Sequence, residues 1–258
     1  MIESIRNLYK YRQLLRSNVK KEIRGKYKGS FLGVLWSFVS PLLMTLVYAI
    51  VFPFLLRNGQ DHYTTYIVIG ILPWVWCTNT ISQGTPSILN NGGIIKKVFF
   101  PREVLPISVV TSGLVNFIIS CLIILIFLFF SGIGYSFNIL YLPLIMIVQY
   151  VFLLGVILIT SSINVYVRDV EYIVTFIMQM VFYATPILYP TTMFPEWIRG
   201  IIRINPMVTI IESYRNIFFY KTAPDLVALL IVFVGTFIVT IIGFKIFHKL
   251  ERGFAEEL

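Results

Sequence analysis

Apolar runs of membrane-spanning length, separated by short polar punctuation, organise this chain. Six of them read as spanning helices, at about 31 to 56, 64 to 88, 104 to 130, 139 to 166, 172 to 189 and 225 to 247. Each comes close to or exceeds the ~20 residues that cross ~30 Å of hydrocarbon. Ahead of the first, residues 5 to 28 place Leu8, Tyr11, Leu15, Val19, Ile23 and Tyr27 at spacings of three and four, with cations between them. That spacing predicts a basic amphipathic helix lying along a membrane surface, with Arg16, Lys20, Arg24, Lys26 and Lys28 on its charged side.

Residues 190 to 222 fit neither a span nor a simple loop. They are apolar but interrupted, and Pro195 and Pro206 open two pieces, each too short to cross. A full crossing by the second piece would carry Glu212 and Arg215 into hydrocarbon at about 2.5 to 3.5 kcal/mol each. The pattern therefore predicts two half-helices that dip in from the outer face and return. The fold expected is an all-α integral membrane protein in one domain covering 1–258. The interface helix takes 1–30, spans one to five take 31–189, the re-entrant segment takes 190–222 and span six takes 225–247.

Composition agrees: 57% hydrophobic residues, 13% charged and a mean hydropathy of +0.83 exceed what one soluble core buries. The net charge of +9 invites a nucleic-acid partner, yet the cations gather at the edges of apolar runs. With the amino terminus inside, sixteen of the 21 Lys and Arg residues fall on the cytoplasmic side, and both termini are expected there. No nucleic-acid partner is implied. Cys77 and Cys121 fall inside spans and read as small hydrophobes. The first apolar run has no small-residue cleavage site and reads as an anchor, not a removable signal.

Polar residues within the spans are neutral. Ser108, Ser112, Asn116 and Ser120 recur every four residues on the third span, as either a close-packing face or the lining of a path. Asn79, Ser82 and Gln83, then Gln149, then Gln179 add amides to the second, fourth and fifth. Amides suit a neutral or hydroxyl-rich cargo better than a bare ion. Glu212 and Arg215 stand three apart and either pair with one another or form part of an outer gate. Trp74, Trp76, Tyr183, Tyr189, Phe194, Trp197, Tyr214, Phe218 and Tyr220 crowd the outer end, as an interfacial belt or as rings for sugars to stack on.

No GxxxxGK[ST] phosphate loop occurs, so ATP hydrolysis by that route is not expected of this chain. His62 and His248 lie far apart, no His, Cys or carboxylate group has metal spacing, and no acid sits mid-span to relay protons. No catalytic residue, no metal site and no cofactor held by this chain are expected.

Three blocks carry a family resemblance. KKEIRGKYKGSFLGVLWSFVSPLL, from Lys20, resembles the amino-terminal signature of ABC transporter permeases of the type-2 exporter class, in the branch that exports O-antigen, teichoic acid and capsule polysaccharides. VFFPREVLPISVVTSGLVNFII, residues 98 to 119, is similar to that family's segment after the second span, and residues 163 to 219 resemble its fourth-to-fifth-span turn and outer gate. The resemblance implies a homodimeric permease in a bacterial inner or plasma membrane, working with two copies of a separate ATPase that holds ATP and Mg. Its cargo would be a glycan on a polyprenyl pyrophosphate lipid. The alternative within the class, a drug or small-lipid exporter, would lack the dense RGKYKGSFLGVLWSFVSPL match.

The resemblance also assigns parts. Residues 89 to 101 would form the coupling helix that docks in the ATPase, through Asn90, Asn91, Ile94, Ile95, Lys96, Lys97 and Phe99. The pyrophosphate headgroup would enter near Lys26, Lys28 and Arg102. Asn79, Gln83, Asn116, Gln179, Tyr183, Trp197, Glu212, Tyr214 and Arg215 are the candidates for the substrate path or gate.

Overall fold

The computed structural model describes residues 9–25, 29, 31, 33–56 and 61–258, and among these it is helical without a strand. A first helix, α1 (Arg12–Gly25), is followed by α2 (Trp36–Leu56), α3 (Tyr63–Gly84) and the short α4 (Gly92–Ile95). Next come α5 (Val104–Phe130), α6 (Leu142–Tyr166), α7 (Val170–Ala184), α8 (Glu196–Ile202) and α9 (Pro206–Arg215), which runs on as a π-helical turn, Asn216–Tyr220. The chain closes with α10 (Leu226–Leu250) and α11 (Phe254–Glu257). Among the described residues, three stretches are long and apolar enough to cross a membrane: Val104–Phe130, Phe137–Tyr166 and Leu226–Glu257.

The helix starts follow local chemistry. Asp225 caps α10, its Oδ1 accepting the backbone N–H groups of Val227 at 3.1 Å and Ala228 at 3.0 Å. Asn205 caps α9 in the same way through Met207, and Pro206 fills the first helical position, where a missing N–H costs nothing.

The expected fifth span, 172 to 189, is corrected. Its helix, α7, stops at Ala184 after 15 residues, a rise of about 22 Å. Thr185 precedes a proline and is extended (φ −95°, ψ 131°), as steric conflict with the following ring requires. Residues 185 to 188 are buried, and side chains from other helices serve their exposed carbonyls. Arg215 donates to the carbonyls of Pro186 (2.6 Å) and Ile187 (2.5 Å), and the Tyr63 hydroxyl donates to that of Leu188 (2.6 Å). Asn205 ties Thr185 at 2.9 Å. This is the condition under which irregular backbone survives in an apolar bundle.

Helix α3 is the hub. Most of its residues are buried, including Tyr66, Trp74, Trp76 and Ile81, and they pack against Phe117 and Ile124 of α5, Leu153 and Ile157 of α6 and Tyr214 of α9. Protein surrounds α3 instead of lipid, which is why its sequence tolerates more polar residues than α5 or α10. Two of the aromatics expected in an interfacial belt, Trp74 and Trp76, are only 4% exposed, and Tyr214 and Phe218 are buried as well. Core packing between helices has taken their rings. Between α6 and α10 the approach is closest at glycines: a Cβ on Gly155 would lie 2.9 Å from the backbone N of Thr240, and one on Gly243 2.9 Å from the carbonyl O of Gly155. Small residues let helices approach in the absence of a hydrophobic driving force.

Gln149, placed among the path amides by sequence, is instead fully buried. Its Nε2 donates to the carbonyl of Pro73 at 2.8 Å and its Oε1 accepts from the Tyr214 hydroxyl at 3.1 Å, linking α3, α6 and α9. Gln149→Leu is expected to cost about 1 to 3 kcal/mol, because both partners are left unpaired in the interior. The check is a double-mutant cycle on melting in detergent, in which Tyr214→Phe on the Gln149→Leu background adds little further loss.

Candidate functional site

Five of the nine path candidates converge. Asn79 and Gln83 of α3, Asn116 of α5, and Gln179 and Tyr183 of α7 line one cavity of about 730 Å³, closed on a further side by Trp36, Ser40 and Tyr48. Asn79, Gln83, Gln179 and Tyr183 are exposed toward it, and no Asp, Glu, Lys, Arg or His among the described residues lines it. The polar stripe of α5 divides: Ser112, Asn116 and Ser120 lie on the cavity and Ser108 does not. Ser112 and Ser120 spend their hydroxyl protons on their own helix, donating to Val109 O and Asn116 O at 2.9 Å each. What remains is a mixed surface, in which amides, hydroxyl lone pairs and aromatic rings stand among aliphatic side chains such as Met44, Val75, Val109 and Met178. It can hydrogen-bond and stack, but it has no fixed charge with which to hold an ion.

The other four candidates lie elsewhere. Trp197 projects from α8 and is 72% exposed, while Glu212 is half-buried. Tyr214 and Arg215 are buried in the core, and neither lines the cavity. Arg215 does not form an ion pair with Glu212. Its guanidinium lies 3.7 Å from the centroid of the Tyr66 ring and serves the carbonyls after α7, a better arrangement for a buried planar cation than one half-exposed carboxylate.

At the basic end of the bundle, the segment after α3 forms a 3-10 turn, Leu89–Asn91, and then α4. Ile95 is 6% exposed and packs into an internal cluster with Phe100, Leu105, Phe247 and Phe254, so it is spoken for within this chain. Asn91 is likewise committed, donating to Ser87 O at 2.8 Å and accepting from Lys21 Nζ at 3.0 Å. The surface left free carries Asn90, Ile94, Lys96, Lys97, Val98 and Phe99, with Phe99 94% exposed.

Helix α1 rests on protein as well as facing outward. Tyr11, Leu15, Val19 and Ile23 are half-buried and α1 packs on α5, while Arg16, Lys20 and Arg24 are exposed. Burial there pushes the Glu22 carboxyl up from its ordinary range, with Lys21 opposing the shift. Lys26 and Lys28 lie outside the described residues. Arg102, their expected companion, donates to the Glu251 carbonyl and stands 5.9 Å from the Phe254 ring, bracing the end of α10.

A contact that sequence spacing could not disclose joins Glu103 to His248 and Glu251. Their donor atoms lie within 4.8 Å of one another, the group among the described residues whose chemistry could hold a cation. His248 Nδ1 and Glu251 Oε1 are 3.3 Å apart, and burial pushes the Glu103 carboxyl up, the neighbouring Glu251 adding to the shift. Trp76, one of the rings that sequence offered for stacking, also lines the cavity, together with Gly113 and with Thr80, which sequence reading missed. The glycine beside the serine stripe was the available signal.

Residues 13–219 match the ABC-2 type transporter family. The chain belongs to that family. Among curated relatives, this ABC-2 type transporter is 34% identical over 260 residues to an O-antigen export system permease protein RfbA of Myxococcus xanthus, with both chains covered in full. It is also 37% identical over 239 residues to an O-antigen export system permease protein RfbA of Klebsiella pneumoniae, and 36% identical to a second from that organism, each covering 92% of both chains. An ABC-2 type transporter chain is a transport subunit embedded in the membrane and not an enzyme, and the membrane-length helices agree with that setting.

Proposed function

We propose that this chain is the permease subunit of an ATP-driven exporter that moves a lipid-linked polysaccharide of the O-antigen kind across a bacterial inner or plasma membrane. The observation that carries the reading is the cavity, which gathers amides and rings from α2, α3, α5 and α7 without one charged side chain among the described residues. A sugar chain needs hydrogen bonds that are made and released in turn, and flat rings to slide along. The relatives named as O-antigen export permeases support the same cargo class.

In this reading α2, α3, α5, α6, α7 and α10 are the six spans, both termini are cytoplasmic, and α8 and α9 form a re-entrant outer segment. Two copies assemble, since one bundle is small for enclosing a glycan. Two ATPase subunits carry ATP and Mg and dock on the exposed residues around α4 and on the cationic side of α1. ATP binding closes the ATPases, pushes on that surface and shifts the two bundles relative to one another, opening a path for the sugars behind a polyprenyl pyrophosphate headgroup. Charge at the cytoplasmic rim, Lys26, Lys28 and Arg102 among it, meets the headgroup.

Coexpression with a candidate ABC ATPase subunit from the same genome tests the reading. The expected product is a complex of two plus two chains whose ATP turnover changes at least severalfold when a polyprenyl pyrophosphate-linked oligosaccharide is added in nanodiscs. A stable complex indifferent to that lipid overturns the cargo.

A further inference from the structure

Where the start of α5 meets the end of α10, Glu103, His248 and Glu251 bring two carboxylates and an imidazole together, their donor atoms within 4.8 Å of one another. Glu103 is the member that needs explaining. It is 3% exposed, yet its carboxylate makes no hydrogen bond or ion pair with another described residue and leaves the N-terminus of α5 uncapped. A buried carboxylate without a partner is among the most costly groups a fold can carry. The guanidinium next to it in sequence is spent elsewhere: Arg102 donates to the Glu251 carbonyl and stands 5.9 Å from the Phe254 ring.

The other two donors are already set at a metal's spacing. His248 Nδ1 and Glu251 Oε1 are 3.3 Å apart, longer than the roughly 2.7 to 2.9 Å of a charge-assisted N–H···O bond. Two ligands of one tetrahedral zinc stand about 3.3 to 3.6 Å apart when the bonds are roughly 2.0 to 2.2 Å long. Tyr166 of α6 donates to the Leu250 carbonyl at 2.8 Å and Arg102 to that of Glu251, so the backbone presenting Glu251 is tied on two sides. We propose that Glu103, His248 and Glu251 bind one divalent transition-metal ion of the zinc class, which clamps the end of α10 to the start of α5. Two carboxylates and a neutral imidazole balance the charge of such an ion. The nitrogen ligand favours zinc and its neighbours over magnesium or calcium, which take oxygen alone. The ion would brace the cluster of Phe100, Leu105, Phe247 and Phe254 in which Ile95 anchors the α4 segment. The site is independent of the cargo and stands or falls apart from the exporter reading.

The full chain, purified in detergent without a polyhistidine tag, is titrated with Zn²⁺ against a chromophoric chelator, and its melting is followed in Zn²⁺, in Mg²⁺ and in chelator. One saturable zinc per chain is expected, with a rise in melting temperature that Mg²⁺ does not reproduce. Glu103→Gln and Glu251→Gln are each expected to weaken zinc about tenfold or more, since even a partner that only orients a ligand is worth that much. In chelator the order reverses: Glu103→Gln melts at or above the wild type, because a neutral amide replaces an unpaired buried charge. A glutamate with a packing role alone would be missed equally in zinc and in chelator. His62→Gln, outside the cluster, keeps the wild-type affinity. No saturable zinc, or zinc held at wild-type affinity by both glutamine variants, overturns the site. So does a melting rise that Mg²⁺ reproduces in full, or a Glu103→Gln protein that loses as much in chelator as in zinc. If Glu103→Gln does not fold, Glu251→Gln decides alone: weakened zinc supports the site and retained zinc overturns it.

Discussion

Arg215→Met is expected to be the most damaging single substitution for the fold, costing on the order of 2 to 5 kcal/mol as several terms combine. The guanidinium is 2% exposed and donates to the carbonyls of Pro186 and Ile187 at 2.6 and 2.5 Å. Methionine fills much of the volume and removes the cost of burying a charge, yet it leaves two carbonyls bare where no water reaches, at about 1 to 3 kcal/mol each. The stacking on Tyr66, with the cation 3.7 Å from the ring centroid, is lost as well. Arg215→Lys keeps the charge but cannot span both carbonyls with one point donor, so an intermediate loss is expected. Gly70→Ala strikes the same device from the other side, since its Cβ would lie 2.8 Å from Arg215 Nη2. Melting of the purified protein in detergent orders the variants, and an Arg215→Met protein that melts with the wild type would show that residues 185 to 188 need no such support.

Period and hydropathy made the helices legible, and the reasons they failed in places are physical. Residues 104 to 130 are bounded correctly because α5 carries no charged residue and is flanked by Arg102 and Glu103 on one side and Ser131 and Gly132 on the other. The fifth span was drawn too long because ILYP, residues 187 to 190, is as hydrophobic as the helix before it. Hydropathy cannot tell apolar helix from apolar extended chain, and the Pro186 that ends α7 was the cue that went unused. The polar residues show a similar division. Asn79, Gln83, Asn116 and Gln179 share one cavity because neutral amides on apolar helices of a membrane protein face protein or water, which sequence alone reveals. Whether an amide faces a cavity or a partner in the core depends on helix rotation, and Gln149 took the second course through Tyr214. Arg215 looked bound to Glu212 only because one helical turn separates them. The carbonyls it serves are 28 and 29 residues away.

Ile94→Asp combined with Phe99→Asp is expected to abolish coupling between this chain and its ATPase while leaving the permease folded. The physical basis is the way α4 and the residues that follow it, 92 to 100, divide their apolar side chains. Ile95 and Phe100 turn inward, 6% and 7% exposed, and anchor the segment to the cluster at the ends of α5 and α10. Ile94, Val98 and Phe99 turn outward, 46%, 57% and 94% exposed, on either side of the cations Lys96 and Lys97 in the sequence. An apolar side chain held out beyond the apolar helices, rimmed by charge and fixed by the Lys21–Asn91–Ser87 hydrogen bonds, has the anatomy of a protein contact. Burying two new carboxylates there would cost several kcal/mol, enough to take a micromolar or tighter complex out of reach. Ile95→Asp, by contrast, is expected to destabilise the permease itself, because it places a charge in the internal cluster. Copurification with the ATPase, read together with detergent melting of the permease alone, separates the two outcomes. Full ATPase binding by the Ile94→Asp/Phe99→Asp protein would move the docking surface away from α4 and onto the cationic side of α1, where Arg16, Lys20 and Arg24 are exposed.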